Sequence, residues 1–183
     1  MEDRIVKLTE LPFRSVGGQP AFEPHKLEPF VSAPRIAVLS YVKRDGTPAQ
    51  APIWYRYDDG RFFMVTAKGS PKAKALARAG RASLAIQDDM PPYRAVIVDG
   101  EVTLSDVAVE GGVNHWLATR YFGRIGGSEY EKMTAEANHK GGLSLIRFEP
   151  LGVRGFDNHR LVGRGLRLYM RVREILPVPR EWF

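Results

Sequence analysis

Two Asp-Gly pairs, Asp45-Gly46 and Asp59-Gly60, punctuate three runs rich in β-branched and aromatic residues. The runs are RIAVLSYV (35–42), TPAQAPIWYRYD (47–58) and RFFMVTA (61–67). Asp-Gly supplies the positive φ values of a tight hairpin, so the pattern predicts three consecutive antiparallel strands. Such a meander argues against alternating βαβ units, because parallel strands need long crossovers. Pro48 and Pro52 place the second run at an edge or a bulge, since proline cannot donate to a ladder. ASLAIQ (82–87), YRAVIVDGEVTLS (93–105) and LSLIRFEPLGVRGF (143–156) continue the strand pattern, while 108–122 and 128–139 read as helices. The expectation is a mainly β fold: an antiparallel barrel of six to seven strands with added helices.

The 183 residues suit one domain. Residues 1–34 carry Pro12, Pro20, Pro24, Pro29 and Pro34 and read as an irregular N-terminal arm with a short helix at its end. Residues 35–158 form the expected barrel domain, and 159–183 a C-terminal basic arm packing on the barrel or on a dimer partner. Within that arm, 159–175 alternates Leu166, Leu168, Met170 and Val172 with Arg167, Tyr169, Arg171 and Arg173, the period of a strand. No apolar run approaches the roughly 20 residues of a membrane span, and the N-terminus lacks a signal-peptide core. Zero cysteines exclude disulfides and thiolate metal sites, and fit a cytoplasmic location without a membrane partner. The four histidines show no metal-ligand spacing, so no metal site is expected.

The formal net charge is +6, which favours anionic partners. The charge concentrates in VTAKGSPKAKAL (65–76), where Ser70 is a good N-cap and Pro71 a good first helical residue. Lys68, Lys72 and Lys74 crowd that helix start, Arg78 and Arg81 follow, and no acid occurs from Ala67 through Gln87. Cations at the positive end of a helix are mildly unfavourable, by about 0.3–1 kcal/mol each when exposed. An anion resolves the conflict, because turn amides, the Ser70 hydroxyl and a lysine can hold a phosphate together. A solvated basic face is the plainer alternative. Thr66 adds a further donor. Pro52-Ile53-Trp54-Tyr55-Arg56 on the preceding strand offers a flat apolar wall and a cation, although a barrel core is the commoner fate of aromatics such as Trp54 and Tyr55.

The order of short motifs is more specific than any one of them. Gly46-x-Pro48 leads to Pro52-Ile53-Trp54, then Phe62-Phe63-x-x-Thr66, then Ser70-x-Lys72-x-x-x-Leu76. Ala82-Ser83-Leu84, Pro92-Tyr93-Arg94 and Val98-Asp99-Gly100-Glu101-Val102 follow, then Arg120-Tyr121-Phe122-Gly123, the Glu129-Tyr130 pair and the run from Arg147 to Asp157. Over about residues 28–158 this succession resembles the pyridoxamine 5'-phosphate oxidase-like split β-barrel family, above all its flavin/deazaflavin oxidoreductase branch. The resemblance implies a homodimer with FMN or coenzyme F-420 at the subunit interface. It implies that Ser70 and Lys72 bind the cofactor phosphate; Lys68, in the same basic run, is a further candidate for cofactor binding. It places Val65, Thr66 and Ala67 against the ring and positions 50–54, with Gln50, Pro52 and Trp54, on the other side; Arg56 is a candidate cation beside that wall, and Tyr93 and Arg94 are candidates for contacts near the ring or its tail. Ala51 and Pro71 stand where true pyridoxamine-phosphate oxidases carry phosphate-binding arginines, which turns the expectation away from vitamin B6 oxidation.

The expected function is an oxidoreductase that exchanges a hydride with a small planar substrate, with no catalytic side chain assigned. A non-catalytic flavin- or haem-binding protein on the same barrel is the alternative. A nucleic-acid binder is disfavoured, because only Tyr169 interleaves with the tail arginines as a stacking platform.

Overall fold

A computed structural model describes residues 6–108 and 112–175. A 3-10 turn (Leu8–Glu10), β1 (Phe13–Ser15) and α1 (Pro24–Ser32) lead into the meander of β2 (Ala37–Val42), β3 (Pro48–Ile53), β4 (Arg56–Asp58) and β5 (Arg61–Ala67). There follow α2 (Pro71–Ala79), β6 (Arg81–Gln87), β7 (Arg94–Val107), α3 (Gly112–Gly141), β8 (Leu143–Asp157), a second 3-10 turn (Asn158–Arg160) and α4 (Arg164–Ile175).

The hairpin signals hold. Gly46 and Gly60 both adopt positive φ, and the Asp45 carboxylate accepts the Thr47 amide at 2.9 Å across the first turn. The sheet runs β3-β2-β6-β7-β8-β5-β4, with antiparallel pairs along the path and β1 added in parallel to β8. It has eight strands rather than six or seven. One extra is β1, inside the expected arm. The other arises because the run 47–58 breaks at Trp54-Tyr55 into β3 and β4.

That break explains the barrel. The two ends of the sheet path, β3 and β4, are separated in sequence by only Trp54 and Tyr55. A sheet whose opposite edges are so tethered must curl until they meet, yet the edges do not pair with each other. The seam is instead held by side chains. Tyr55 turns inward, fully buried, and its hydroxyl donates to the Val31 carbonyl at 2.8 Å. The Tyr121 hydroxyl accepts the Tyr55 amide at 3.1 Å and reaches the Arg35 carbonyl at 2.7 Å. Burial pushes the pKa of both phenols up, so they remain neutral hydrogen-bonding groups.

Inside the barrel, Leu39, Phe62, Met64, Leu84, Ile86, Val96, Ile146 and Phe148 are fully buried. Leu8, Phe22, Leu27, Phe30 and Val31 of the N-terminal segment belong to the same core. Phe22 and Phe30 meet with ring centroids 5.0 Å apart, and α1 packs on the core through Leu27, Phe30 and Val31. Within the basic arm, Arg164–Ile175 is a helix, not the strand its alternation predicted, and the rest of the arm, 176–183, lies outside the described residues. In α4, Leu166, Leu168, Tyr169 and Val172 are exposed. None of the described helices is long and apolar enough to cross a membrane.

Candidate functional site at the seam

The opening of α2 forms as its sequence dictates. The Ser70 hydroxyl accepts the Ala73 amide at 3.2 Å, Pro71 stands in the first turn, and Gly80 closes the helix in the left-handed region at φ 63°. The crowd of cations there divides into three directions. Lys68 pairs with Asp106 on β7. Lys74 and Arg78 open onto a surface cleft shared with Lys43 and Arg44, and Arg78 donates to the Val42 carbonyl at 2.8 Å. Only Lys72 turns toward the seam.

There it meets a cleft of about 330 Å³. Pro52, Ile53 and Trp54 form one wall, Val65, Thr66 and Ala67 another, with Ile36 and Leu143 alongside. The remaining wall comes from α3 through Asn114, Leu117, Tyr130 and Asn138. Gly123, with φ 73° and ψ 178°, breaks α3 into two limbs that fold back on each other, as the two separate helices read from the sequence require. Trp54 stacks on Tyr121 of the first limb at 5.1 Å and 14°, and meets Tyr130 of the second at 4.9 Å. The seam tryptophan thereby fixes the helical hairpin over the cleft.

Two groups facing this cleft lack a partner among the described residues. Lys72 has no carboxylate or hydrogen-bond acceptor, and its half-buried position pushes its pKa down. The Asn114 Nδ2 is buried without an acceptor, in a residue only 8% exposed. An unpaired buried donor costs about 1–3 kcal/mol, and a desolvated ammonium more. Thr66, also 8% exposed, lies with its hydroxyl 3.4 Å from that of Ser70. The wall of the cleft therefore presents a cation, an orphan amide donor and a hydroxyl beside an aromatic surface. A ligand that carries both an anion and a flat ring fits this set.

Of the twelve residues singled out in the sequence, Pro52, Trp54, Val65, Thr66, Ala67 and Lys72 line this one cleft, and Ser70 supports it through Thr66 and the helix cap. The other five lie elsewhere. Gln50 is exposed and donates to the Ser40 hydroxyl at 3.3 Å. Lys68 is engaged by Asp106. Arg56 lies on the far side of the first α3 limb, over Trp116. Arg94 is tied to Asp88 at 2.6 Å and packs over Phe30, and Tyr93 borders the same distant pocket. The α3 contributors were not singled out. Asn114 has no local motif around it, and only the Glu129-Tyr130 pair gave any signal. No group of three His, Asp or Glu able to hold a metal occurs among the described residues.

Fold and seam together define a split-barrel protein. The sequence matches the family described as pyridoxamine 5'-phosphate oxidase over residues 24–157, and the chain belongs to that family. Among solved structures it is similar to the conserved hypothetical protein Rv2991 from Mycobacterium tuberculosis, with 24% identity and a TM-score of 0.60 over 79% of this chain and 90% of that one. HutZ, the haem storage protein from Vibrio cholerae, shares 12% identity at a TM-score of 0.52 over 70% of this chain and 91% of its own. A FAD-binding protein from Mesorhizobium loti shares 19% identity at a TM-score of 0.50 over 72% and 92%. These likenesses establish the fold. Among curated proteins, none matches the sequence.

Proposed function

We propose that the seam cleft binds FMN or coenzyme F-420 and that the protein is an oxidoreductase acting on a small planar substrate. The observation that carries this reading is the unpaired, half-buried Lys72 ammonium set beside the orphan Asn114 amide in an aromatic-walled cleft. Lys72, with the capped start of α2, would hold the phosphate, where a charge-assisted hydrogen bond is worth about 1.5–3 kcal/mol. Thr66 and Asn114 would meet polar atoms of the ring system, and the backbone of 65–67 would border its edge. The cofactor, once bound, supplies hydride transfer.

The cleft's lining offers Lys72 and Tyr130 as titratable side chains, so the protein's part is to position, to neutralise the phosphate charge and to exclude water. At about 330 Å³ the cleft lies at the small end of ligand sites, which run about 300–1,000 Å³. That size favours completion by a second copy in a homodimer. Phe122, Ile125 and Met133 of α3 are 52%, 85% and 74% exposed and offer an apolar surface for it.

Haem storage on the same fold is the competing reading. It is less well supported at this cleft, because haem iron most often takes a histidine and none lines it. Titration by absorbance and fluorescence with FMN, coenzyme F-420, riboflavin and haemin tests the proposal. Saturable binding of FMN or F-420, tighter than riboflavin, supports it, followed by turnover with a defined reductant. Haemin binding alone would overturn it.

A further inference from the structure

The first limb of α3 has a second side. Opposite the seam cleft it forms, with Arg56 and Tyr57 of β4 and Ser32 of α1, a pocket of about 680 Å³ that also takes in Arg120, Arg124, His115 and Trp116. Three guanidinium groups line it and no carboxylate does. Elsewhere on the molecule Arg35, Arg61, Arg94 and Arg154 each face an acid. Arg56, Arg120 and Arg124 face none among the described residues.

Each of the three is left incomplete in its own way. The Arg56 guanidinium carbon lies over the Trp116 ring, 3.8 Å from its centroid, and the side chain has no hydrogen-bond acceptor or acid among the described residues. Arg120 donates one Nη to the Ser32 carbonyl at 2.7 Å, which fixes its direction, yet its Nε is buried with no acceptor. Arg124 has no side-chain partner among the described residues. The acids next to lining residues are occupied: Glu131 meets His115 Nδ1 at 2.8 Å, and Glu28 accepts from Tyr57 at 3.3 Å. Gathering like charges around an unsatisfied, buried N–H raises the energy of the empty pocket. Arginine forks match carboxylate and phosphate oxygens in geometry as well as charge.

We propose that this pocket is a second binding site, for a small dianion with phosphate or dicarboxylate chemistry, separate from the seam cleft. Its position on the same helix limb and the adjoining Trp54-Tyr55-Arg56 segment sets it next to that cleft without sharing its lining. The inference does not depend on which cofactor, if any, the seam holds.

Calorimetric titration with inorganic phosphate and with succinate, against sodium chloride of equal ionic strength, provides the test. It is run on the native protein, on Lys72→Ala, which removes the seam cation, and on Arg56→Gln and Arg124→Gln. Because Arg124 is exposed and its side chain makes no hydrogen bond or ion pair among the described residues, Arg124→Gln should keep the native thermal stability. The expected result is saturable binding of at least one anion that persists in Lys72→Ala and is weakened about tenfold by either arginine variant. Preference for phosphate over succinate, or the reverse, assigns the ligand's chemistry. Three outcomes would overturn the proposal: no binding beyond the chloride control, binding indifferent to both arginine variants, or binding lost in Lys72→Ala.

Discussion

Lys72 is the residue on which the candidate site turns. Burial without a partner lowers its pKa below the ordinary 10.5. The sign of the consequence is fixed by linkage. Between the folded and unfolded pKa values the unfolded chain binds more protons, so the stability of the free protein rises with pH through that window. A phosphate beside the ammonium favours the charged form and moves the pKa back up. FMN affinity should therefore fall as alkaline pH removes the proton. Lys72→Ala should weaken FMN about tenfold or more at neutral pH, abolish that alkaline decline and leave riboflavin binding nearly unchanged. Fluorescence titration from neutral to alkaline pH measures all three. Equal losses for riboflavin and FMN would assign Lys72 to the fold and not to a phosphate.

Among the elements, the α3 hairpin is the most exacting. At Gly127 a Cβ would lie 2.7 Å from the Thr119 Cα and amide nitrogen, so only glycine lets the two limbs touch. Gly127→Ala should lower the melting temperature by roughly 3–10 °C, from overpacking of about 1–3 kcal/mol, and loosen the Trp54 cluster. Gly141→Ala, where a Cβ meets nothing within 4 Å, is the matched control and should be neutral or slightly stabilising. Differential scanning calorimetry with tryptophan fluorescence separates the two. Elements set by local chemistry were legible in the sequence. The Asp-Gly hairpins and the Ser70–Gly80 helix are specified by residues within one turn of where they act. The α3 wall was not, because Asn114 reaches the cleft only through the break at Gly123 and the stacking of Trp54 on Tyr121. The tail misled for a different reason. Its alternating apolar residues also stand four apart, as in Leu166 and Met170 or Leu168 and Val172, so a period of two and a helical face coincide.

For the whole molecule, the seam is the organising fact. Both the seam cleft and the arginine pocket flank the two residues that join β3 to β4. The family-like motif order foretold the barrel, but the seam depends on which strands end the sheet, and that is decided by long-range pairing with no signature in any short stretch. A second copy laid against the exposed face of α3 would close the cleft. Light scattering at micromolar concentration should therefore report a dimer, and FMN should strengthen it. A monomer that binds FMN at full affinity would remove the interface from the reading.

The position of β8 in the sheet has a temporal consequence. This strand, Leu143–Asp157, is the last of the eight to be synthesised, yet it is the partner of β7, β5 and β1. Until it leaves the ribosome, β1 has no neighbour at all and β5 has only the three-residue β4. The growing chain can assemble β3-β2-β6-β7 as an open sheet, but its Phe62 and Met64 stay without their cover from Ile146 and Phe148. Contacts of such long sequence separation form slowly, and exposed strand edges invite intermolecular pairing meanwhile. The protein is thus committed to completing its barrel after most of it has been translated, and the nascent chain is at its most aggregation-prone just before residue 143 emerges.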